Sequence, residues 1–112
     1  MDFIKEFKDD IEIIHVNITR ATLKEAEEFK KLLYVEIEDG RKKIIVDLIQ
    51  SEFIDSTFLG ALVVSLKRIR SMGGDLKLAG LQPAVRSMFE LTRMYRVFEI
   101  HNFWSEAVES FK

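Results

Sequence analysis

The sequence of 112 residues contains no cysteine, and this absence excludes disulfide bonds and metal sites built on thiolates. Long hydrophobic runs are also missing, since the most apolar stretch, Phe58 to Leu66, is too short to span a bilayer and is interrupted by Gly60 and Ser65. The opening residues, MDFIKEFKDD, show neither the basic region nor the apolar region of a secretory signal. We therefore expect a cytoplasmic protein without a membrane partner.

Several signatures of enzymes and nucleotide-binding proteins are absent. There is no P-loop, no Gly-x-Gly-x-x-Gly and no Gly-x-Ser-x-Gly. The two histidines, His15 and His101, fall within or at the end of predicted strands, where a lone histidine is usually structural or solvated. Residues 56–112 carry eight Lys and Arg against five Asp and Glu, and a charge of +3 is far from the basic face of a nucleic-acid-binding protein. We expect no catalysis, no cofactor, no metal ion and no direct contact with nucleic acid.

The first part of the chain predicts a pair of strands and a helix. Phe3–Lys8 and Ile11–Ile18 have the composition of strands, and the two aspartates between them predict a tight turn. Thr22 and Glu25 form a capping box, in which each side chain satisfies a free backbone N–H of the other residue. This box predicts the start of a helix, and Gly40 predicts its end.

The rest of the chain alternates strands and helices. The segment Lys43–Ile49 is apolar and β-branched, as a strand buried on both faces is. The other predicted elements are strands at Leu76–Gly80 and Val97–Ile100, helices after Asp55 and at Pro83, and a terminal helix at Phe103–Phe111 that covers the sheet. Right-handed crossovers between such strands make them parallel. We predict one domain, residues 1–112, of the α/β class: a mixed sheet of about five strands with an antiparallel N-terminal pair, and about four helices.

Three residues with functional chemistry, Asp55, Ser56 and Thr57, stand at the entry to the helix that follows the buried strand. In open α/β sheets, functional sites gather beyond the carboxyl ends of the strands, where this loop is predicted to lie. All three side chains can also accept a hydrogen bond from a free N–H group in the first turn of a helix. Spacing alone therefore favours capping as their function.

The stretch from Phe53 to Gly60, FIDSTFLG, resembles the phosphorylation motif of the anti-sigma factor antagonists, which are members of the STAS domain family. The pattern of that motif is an apolar pair followed by Asp-Ser-Ser/Thr-Gly-Leu-Gly. The resemblance covers nearly the whole chain. It includes the preceding strand, the Gly73-Gly74 helix end followed by Leu76-Lys77-Leu78, the helix start at Gln82-Pro83-Ala84-Val85, and the segment Met88–Thr92.

This resemblance implies a STAS-like fold and a protein-binding switch. It implies that Ser56 accepts a phosphoryl group, that Asp55 shapes the loop and can hydrogen-bond the serine hydroxyl, and that Thr57 supports the helix start. The unmodified protein would bind an anti-sigma factor that is itself a serine kinase of the ATPase fold, and this binding would release the sigma factor. Phosphorylation would end the binding, and a serine phosphatase would restore it.

The residues beside Ser56 that fall off the apolar stripe of the helix are expected to contact the partner: Phe58, Gly60, Ala61 and Val64. Phe58 stands where the family usually has glycine, so its ring either anchors a partner or packs into the core. The family's Gly-x-x-Asp element after the second strand is also missing, because residues 17–22 read NITRAT. These departures concern regulation more than fold.

Two other interpretations stay open. One is a STAS-like scaffold or ligand-binding module that is not phosphorylated. The other is a receiver-type response regulator, in which acidic residues such as Asp9, Asp10 and Asp55 would surround Mg²⁺ and an aspartate would be phosphorylated. Receivers place their acidic pair between the first strand and a helix, whereas Asp9 and Asp10 join two predicted strands. No lysine directly follows the last predicted strand, which also disfavours a receiver.

Overall fold

The computed structural model describes residues 1–112 and belongs to the predicted mixed α/β class. Its elements, in chain order, are β1 Phe3–Lys8, β2 Ile11–Val16, β3 Arg20–Ala21, α1 Leu23–Glu38, β4 Lys43–Asp47, β5 Phe53–Ile54, α2 Ser56–Ser71, β6 Asp75–Ala79, α3 Pro83–Leu91, a 3₁₀ turn at Met94–Arg96, β7 Ile100–His101 and α4 Trp104–Ser110. The four helices match the predicted number. None of them is both long and apolar enough to cross a membrane.

Five strands form the main sheet, in the order β1-β2-β4-β6-β7. β1 and β2 pair in the predicted antiparallel manner, and each of the pairs β2–β4, β4–β6 and β6–β7 is parallel. Because these four strands run in one direction, their carboxyl ends and the loops that follow meet at one edge of the sheet. β1 and β7 are the two border strands.

A second, two-stranded sheet was not predicted from the sequence. β3 and β5 are two residues long and pair in parallel, with Arg20 opposite Phe53 and Ala21 opposite Ile54. The predicted strands that ended at Ile18 and Ile49 are correspondingly shorter, because the chain leaves the main sheet after β2 and β4 to form this small one.

The last strand lies further along the chain than predicted. The N–H groups of Val97 and Phe98 donate to the carbonyl of Met94, at 2.9 and 3.0 Å, as part of the 3₁₀ turn. These two residues are therefore engaged locally and do not join β6. The strand is Ile100–His101, and the prediction of Val97–Ile100 was wrong in its bounds.

Helices α1 and α2 cover one face of the sheet, above a core of 24 buried hydrophobic residues. At the start of α1, the Glu25 carboxylate accepts hydrogen bonds from the N–H group and the hydroxyl of Thr22, at 2.9 and 3.1 Å. The rings of Phe3, Phe29 and Phe58 form a continuous stack through this core, with successive centroids 5.0 and 4.9 Å apart. This stack joins β1, α1 and α2.

The short helix α4 covers the opposite face, as predicted for the terminal helix. Its core is a smaller cluster of six buried hydrophobic residues. Polar side chains complete this face: the imidazole of His15 lies 2.8 Å from a carboxylate oxygen of Glu6 and 2.8 Å from one of Asp47. The ring of Trp104 meets the same imidazole edge-on, with centroids 5.6 Å apart. The two faces of the sheet are thus held by different chemistry.

Candidate functional site

The loop that carries Ser56 lies at the edge of the sheet where the parallel strands end. It is tied to the loop that follows β2. The Thr19 carbonyl accepts hydrogen bonds from the N–H groups of Glu52 and Phe53, at 2.8 and 3.2 Å, and the Ser51 hydroxyl donates to the Ile18 carbonyl at 2.8 Å. The small β3–β5 sheet continues this connection. Two loops that are distant in sequence therefore form one fixed surface.

Asp55 caps two helices at once. One carboxylate oxygen accepts the N–H of Phe58 in the first turn of α2 at 2.9 Å, and the other accepts the N–H of Leu23 in the first turn of α1 at 3.1 Å. An acceptor at these positions satisfies N–H groups that have no partner inside their own helices, and its negative charge is favourable at a helix N-terminus. The capping interpretation of Asp55 is confirmed, and it extends to a second helix.

Ser56 is the first residue of α2, Thr57 is the second, and both are exposed. The hydrogen bond expected between the Ser56 hydroxyl and Asp55 is not formed, because the Asp55 oxygens accept backbone N–H groups instead. The serine hydroxyl therefore faces solvent on a rigid first turn. This is the geometry that an external enzyme needs to reach it.

Two of the predicted partner-contact residues are buried. Phe58 is 0% exposed and its ring stacks on Phe29, and Ala61 is 5% exposed. The prediction that the Phe58 ring contacts a partner was wrong, because α2 packs against both α1 and the sheet and encloses this ring in the core. Ala61 lies at the bottom of the groove between α1 and α2. Of the two possibilities for the Phe58 ring, packing is the correct one.

The other two predicted contact residues are exposed. Val64 is 49% exposed, and Gly60 has no atom within 4 Å of the position that a Cβ would take. They line a shallow groove of about 250 Å³ between α1 and α2, which also includes Thr57. Leu23, in the first turn of α1, is 60% exposed and was not identified from the sequence. The sequence could have predicted this exposure, because Leu23 directly follows the Thr22 cap and residues in the first turn of a surface helix often face solvent.

The segment that replaces the family's Gly-x-x-Asp element forms β3 and lies against the Ser56 loop. In it, the Arg20 guanidinium stacks on the ring of Phe53, 4.4 Å from its centroid. The backbone connection between the two loops is therefore present without the glycine or the aspartate. The positively charged side chain of Arg20 lies at the surface of the loop instead.

The receiver interpretation fails on topology. Asp9 and Asp10 form the turn between β1 and β2, at the edge opposite the carboxyl ends of the parallel strands, so they do not meet Asp55. No group of three or more histidine, aspartate or glutamate side chains is arranged to hold a metal ion. The acidic residues that suggested an Mg²⁺ site are dispersed.

A cluster of titratable groups, Glu6, His15 and Asp47, lies beneath α4. Burial lowers the pKa of His15, but the hydrogen bonds to Glu6 and Asp47 outweigh it, so this pKa is raised above its ordinary value. The same contact with His15 lowers the pKa of Glu6. The three residues form an ion-pair network that joins β1, β2 and β4, which is a structural arrangement.

Comparison with known proteins agrees with the fold. The sequence-family model of the STAS domain matches residues 3–107. The chain belongs to the STAS domain family. An anti-sigma factor antagonist assigned in Thermotoga maritima is 35% identical over 102 residues, which cover 90% of this chain and 89% of that protein. Another, from Bordetella bronchiseptica, is 29% identical over 87 residues, covering 78% and 75% of the two chains.

A solved structure supports the same assignment. The crystal structure of an anti-sigma factor antagonist from Thermotoga maritima superposes with a TM-score of 0.86, at 32% identity, and covers 96% of this chain and 92% of that one. The resemblance inferred from FIDSTFLG is thereby confirmed at the level of the family. For this STAS domain, the sheet edge that carries Ser56 is the natural candidate site.

Proposed function

We propose that this STAS domain is a phosphorylation-controlled anti-sigma factor antagonist with Ser56 as its phosphoacceptor. The observation that carries the proposal is the exposed Ser56 at the first position of α2, on a loop fixed by the Asp55 double cap. Its unmodified form binds an anti-sigma factor that is a serine kinase, and the sigma factor is released. The names of its relatives support the antagonist function. The domain acts as a binding switch rather than as an enzyme.

The position of Ser56 lets the fold tolerate the phosphate. A phosphoserine carries about −1.5 to −2 charges at neutral pH. At a helix N-terminus, free N–H groups and the helix dipole stabilise a negative charge by about 0.3–2 kcal/mol. The stack of rings beneath α2 is independent of this charge. Phosphorylation is therefore expected to leave the domain folded.

The effect of the phosphate falls on the interface instead. Asp55 directly precedes Ser56, and the exposed Glu52 lies in the same loop. When a partner closes over the loop, a phosphate dianion beside these carboxylates loses its hydrating water and is also repelled by their like charge. Each tenfold loss of affinity requires only about 1.4 kcal/mol. A local change in charge is therefore sufficient to separate the two proteins.

The decisive experiment incubates the purified protein with ATP and the anti-sigma serine kinase encoded in the same genome. Mass spectrometry should show one added phosphate, mapped to Ser56. Ser56→Asp should weaken kinase binding by at least about tenfold, and Ser56→Ala should bind without being switched off. Ser105→Asp is the matched control, because Ser105 is also an exposed serine in the first turn of a helix, α4, on the other face.

The outcomes separate the alternatives. If Ser56→Asp binds the kinase as tightly as the parent protein, the charge switch is wrong. Stable binding without phosphate transfer would identify a scaffold that is not phosphorylated. Loss of binding in Ser105→Asp as well would indicate a nonspecific effect of the added charge.

The surface beside Ser56 can be tested separately. We propose that Gly60, Val64 and Leu23 contact the kinase, with Phe58 and Ala61 supporting them from below. Val64→Glu should weaken binding by at least about tenfold, because a charge would be buried in an apolar contact. Ile4→Glu, on the border strand β1, is the control, since Ile4 has a similar exposure of 45% and lies on the face of the sheet opposite to α2. Equal binding by the parent and Val64→Glu would contradict this surface.

A further inference from the structure

A second cleft lies at the same edge of the sheet, between α3, the 3₁₀ turn and β7. It has a volume of about 430 Å³ and is lined by Leu81, Arg86, Phe89, Glu90, Tyr95 and Ile100. Leu81 follows β6 and Ile100 belongs to β7, so the cleft lies beyond the carboxyl ends of two parallel strands. Small-molecule sites of α/β sheets occur at such positions, in cavities of about 300–1,000 Å³. The cleft is distinct from the Ser56 loop and the groove between α1 and α2.

The floor of the cleft is apolar and rigid. Phe89 is 1% exposed and Leu81 is 7% exposed, and the Phe89 ring packs edge-on against Phe98 with centroids 5.8 Å apart. Tyr95 forms one wall and is 49% exposed. The floor is therefore fixed by the core below, and the wall offers an aromatic surface to a ligand from above.

Two opposite charges line the opening. Arg86 and Glu90 lie one turn apart on α3, both are exposed, and neither takes part in any ion pair of the structure. Two of the other arginines have carboxylate partners, since Arg68 pairs with Glu38 and Arg70 with Asp75. The order arginine then glutamate along a helix is the less favourable one for an internal pair four residues apart. Both charged groups are thus available to a ligand.

We propose that this cleft binds a small zwitterion with an apolar body, of which an α-amino acid with an aliphatic or aromatic side chain is the simplest form. The carboxylate meets Arg86, the ammonium group meets Glu90, and the side chain lies on Tyr95 and the half-buried Ile100. A ligand with an anion alone would bring its charge close to Glu90 without compensation. A ligand with both charges satisfies both residues.

The expected affinity is low, because exposed ion pairs contribute little and the apolar contact is small. A dissociation constant in the millimolar range, on the order of 1–10 mM, follows for a single amino acid. The charges then determine which ligand binds and how it is oriented. Apolar contact with Tyr95 and Ile100, which retain exposed surface, contributes most of the affinity.

The test is a titration of the full chain, followed by the amide signals of residues 81–100 in NMR spectra. L-Leucine and L-phenylalanine should give saturable shifts at those residues. N-acetyl-leucine lacks the cation and leucine amide lacks the anion, so each should bind at least about fivefold more weakly. Glycine, which lacks the apolar body, should give no saturable shift below about 50 mM.

Variants identify the two charged contacts. Arg86→Gln and Glu90→Gln should each weaken leucine binding at least about fivefold, while Lys30→Gln, a change of an exposed charge on α1, should leave it unchanged. Arg86→Gln should no longer discriminate leucine from leucine amide, and Glu90→Gln should no longer discriminate leucine from N-acetyl-leucine. All three residues are exposed, so the folded spectrum should be retained.

Three results would overturn the proposal. One is the absence of saturable shifts with either amino acid up to about 50 mM. Another is binding of N-acetyl-leucine or octanoate as tight as that of leucine, which would identify a cleft for apolar anions. The third is equal binding by the parent protein and both glutamine variants. None of these results bears on phosphorylation at Ser56.

Discussion

The two faces of the sheet differ in how they are stabilised. The face under α1 and α2 is dry and aromatic, with three stacked phenylalanine rings and 24 buried hydrophobic residues. The face under α4 has six buried hydrophobic residues and a network of charged side chains. Dispersion and hydrophobic burial hold most of the first face, which also carries the Lys5–Glu36 ion pair, while ion pairs contribute much of the second. The aromatic stack that supports the Ser56 loop contains no ionisable group.

Two buried ionisable residues, His15 and Glu12, differ in whether their side chains have hydrogen-bond partners. His15, on the α4 face, has a carboxylate at each ring nitrogen, and its pKa is raised. Glu12, on the α1 and α2 face, is 0% exposed, and neither of its carboxylate oxygens accepts a hydrogen bond. Burial, together with the neighbouring Glu36, raises the pKa of Glu12 to about 7. Glu36, on the same face as Glu12, is paired with Lys5, so the presence of a partner decides whether a charge is stabilised.

The largest loss of stability is expected from a substitution in the core under α1 and α2. Phe58→Ala removes one ring from the stack and should lower the free energy of unfolding by about 3–5 kcal/mol. Val108→Ala, a change of a buried residue in the small core under α4, should cost only about 1–2 kcal/mol. Denaturant unfolding of both variants measures the difference. Equal losses would contradict the view that the two cores contribute unequally.

Glu12→Gln tests the unpartnered charge. The folded-state pKa is above the ordinary value of 4.5, so the contribution of Glu12 to stability is complete below pH 4.5 and is lost as the pH rises through the folded-state value of about 7. This loss amounts to about 3 kcal/mol. The variant has no such titration, so its stability relative to the parent should increase between pH 4.5 and 8.

Unfolding curves at several pH values provide the measurement. Lys24→Gln, an exposed change at the start of α1, is a control that should leave the pH profile unchanged. Parallel profiles for Glu12→Gln and the parent would show that Glu12 does not titrate in this range.

His15→Gln tests the partnered charge and should have the smallest effect, about 1–2 kcal/mol for lost hydrogen bonds to charged groups. Because the His15 pKa is raised, its contribution is complete below its ordinary pKa of 6.5 and is lost as the pH rises through the folded-state value. Because the Glu6 pKa is lowered, its contribution is present above 4.5 and is lost as the pH falls. The difference between parent and variant should therefore be greatest between about pH 5 and 6.

The measurement is again unfolding at a series of pH values. His101→Gln provides the comparison, because the His101 ring contacts one carboxylate, that of Glu99, rather than two. A pH-independent difference between the parent and His15→Gln would contradict the ion-pair network.

The sequence carried enough information for most of the fold. The Thr22–Glu25 box located the start of α1, and the β-branched run at Lys43 located the central strand, because both are local patterns with a physical cause. The exposed position of Ser56 could be inferred because a serine at the start of a helix faces solvent unless other elements cover it. The family motif then supplied the functional interpretation.

Other features depend on packing between distant segments and were not predictable. β3 and β5 are too short to show a period, and only the connection between two loops creates them. The burial of Phe58 depends on Phe29, which is 29 residues away in sequence and contributes the facing ring. The second helix capped by Asp55 was equally hidden, because Leu23 and Asp55 meet only in the folded chain.

The position of Ser56 on a formed helical turn determines what its kinase must recognise. On the proposed function, the enzyme reads a folded surface assembled from two loops and two helices, rather than a linear stretch of sequence. A peptide with the sequence of residues 50–62 would lack the Leu23 N–H and the β3–β5 pair, and it would be a poor substrate. Substrate recognition would then also verify folding, since only an intact domain could be modified and returned to the cycle.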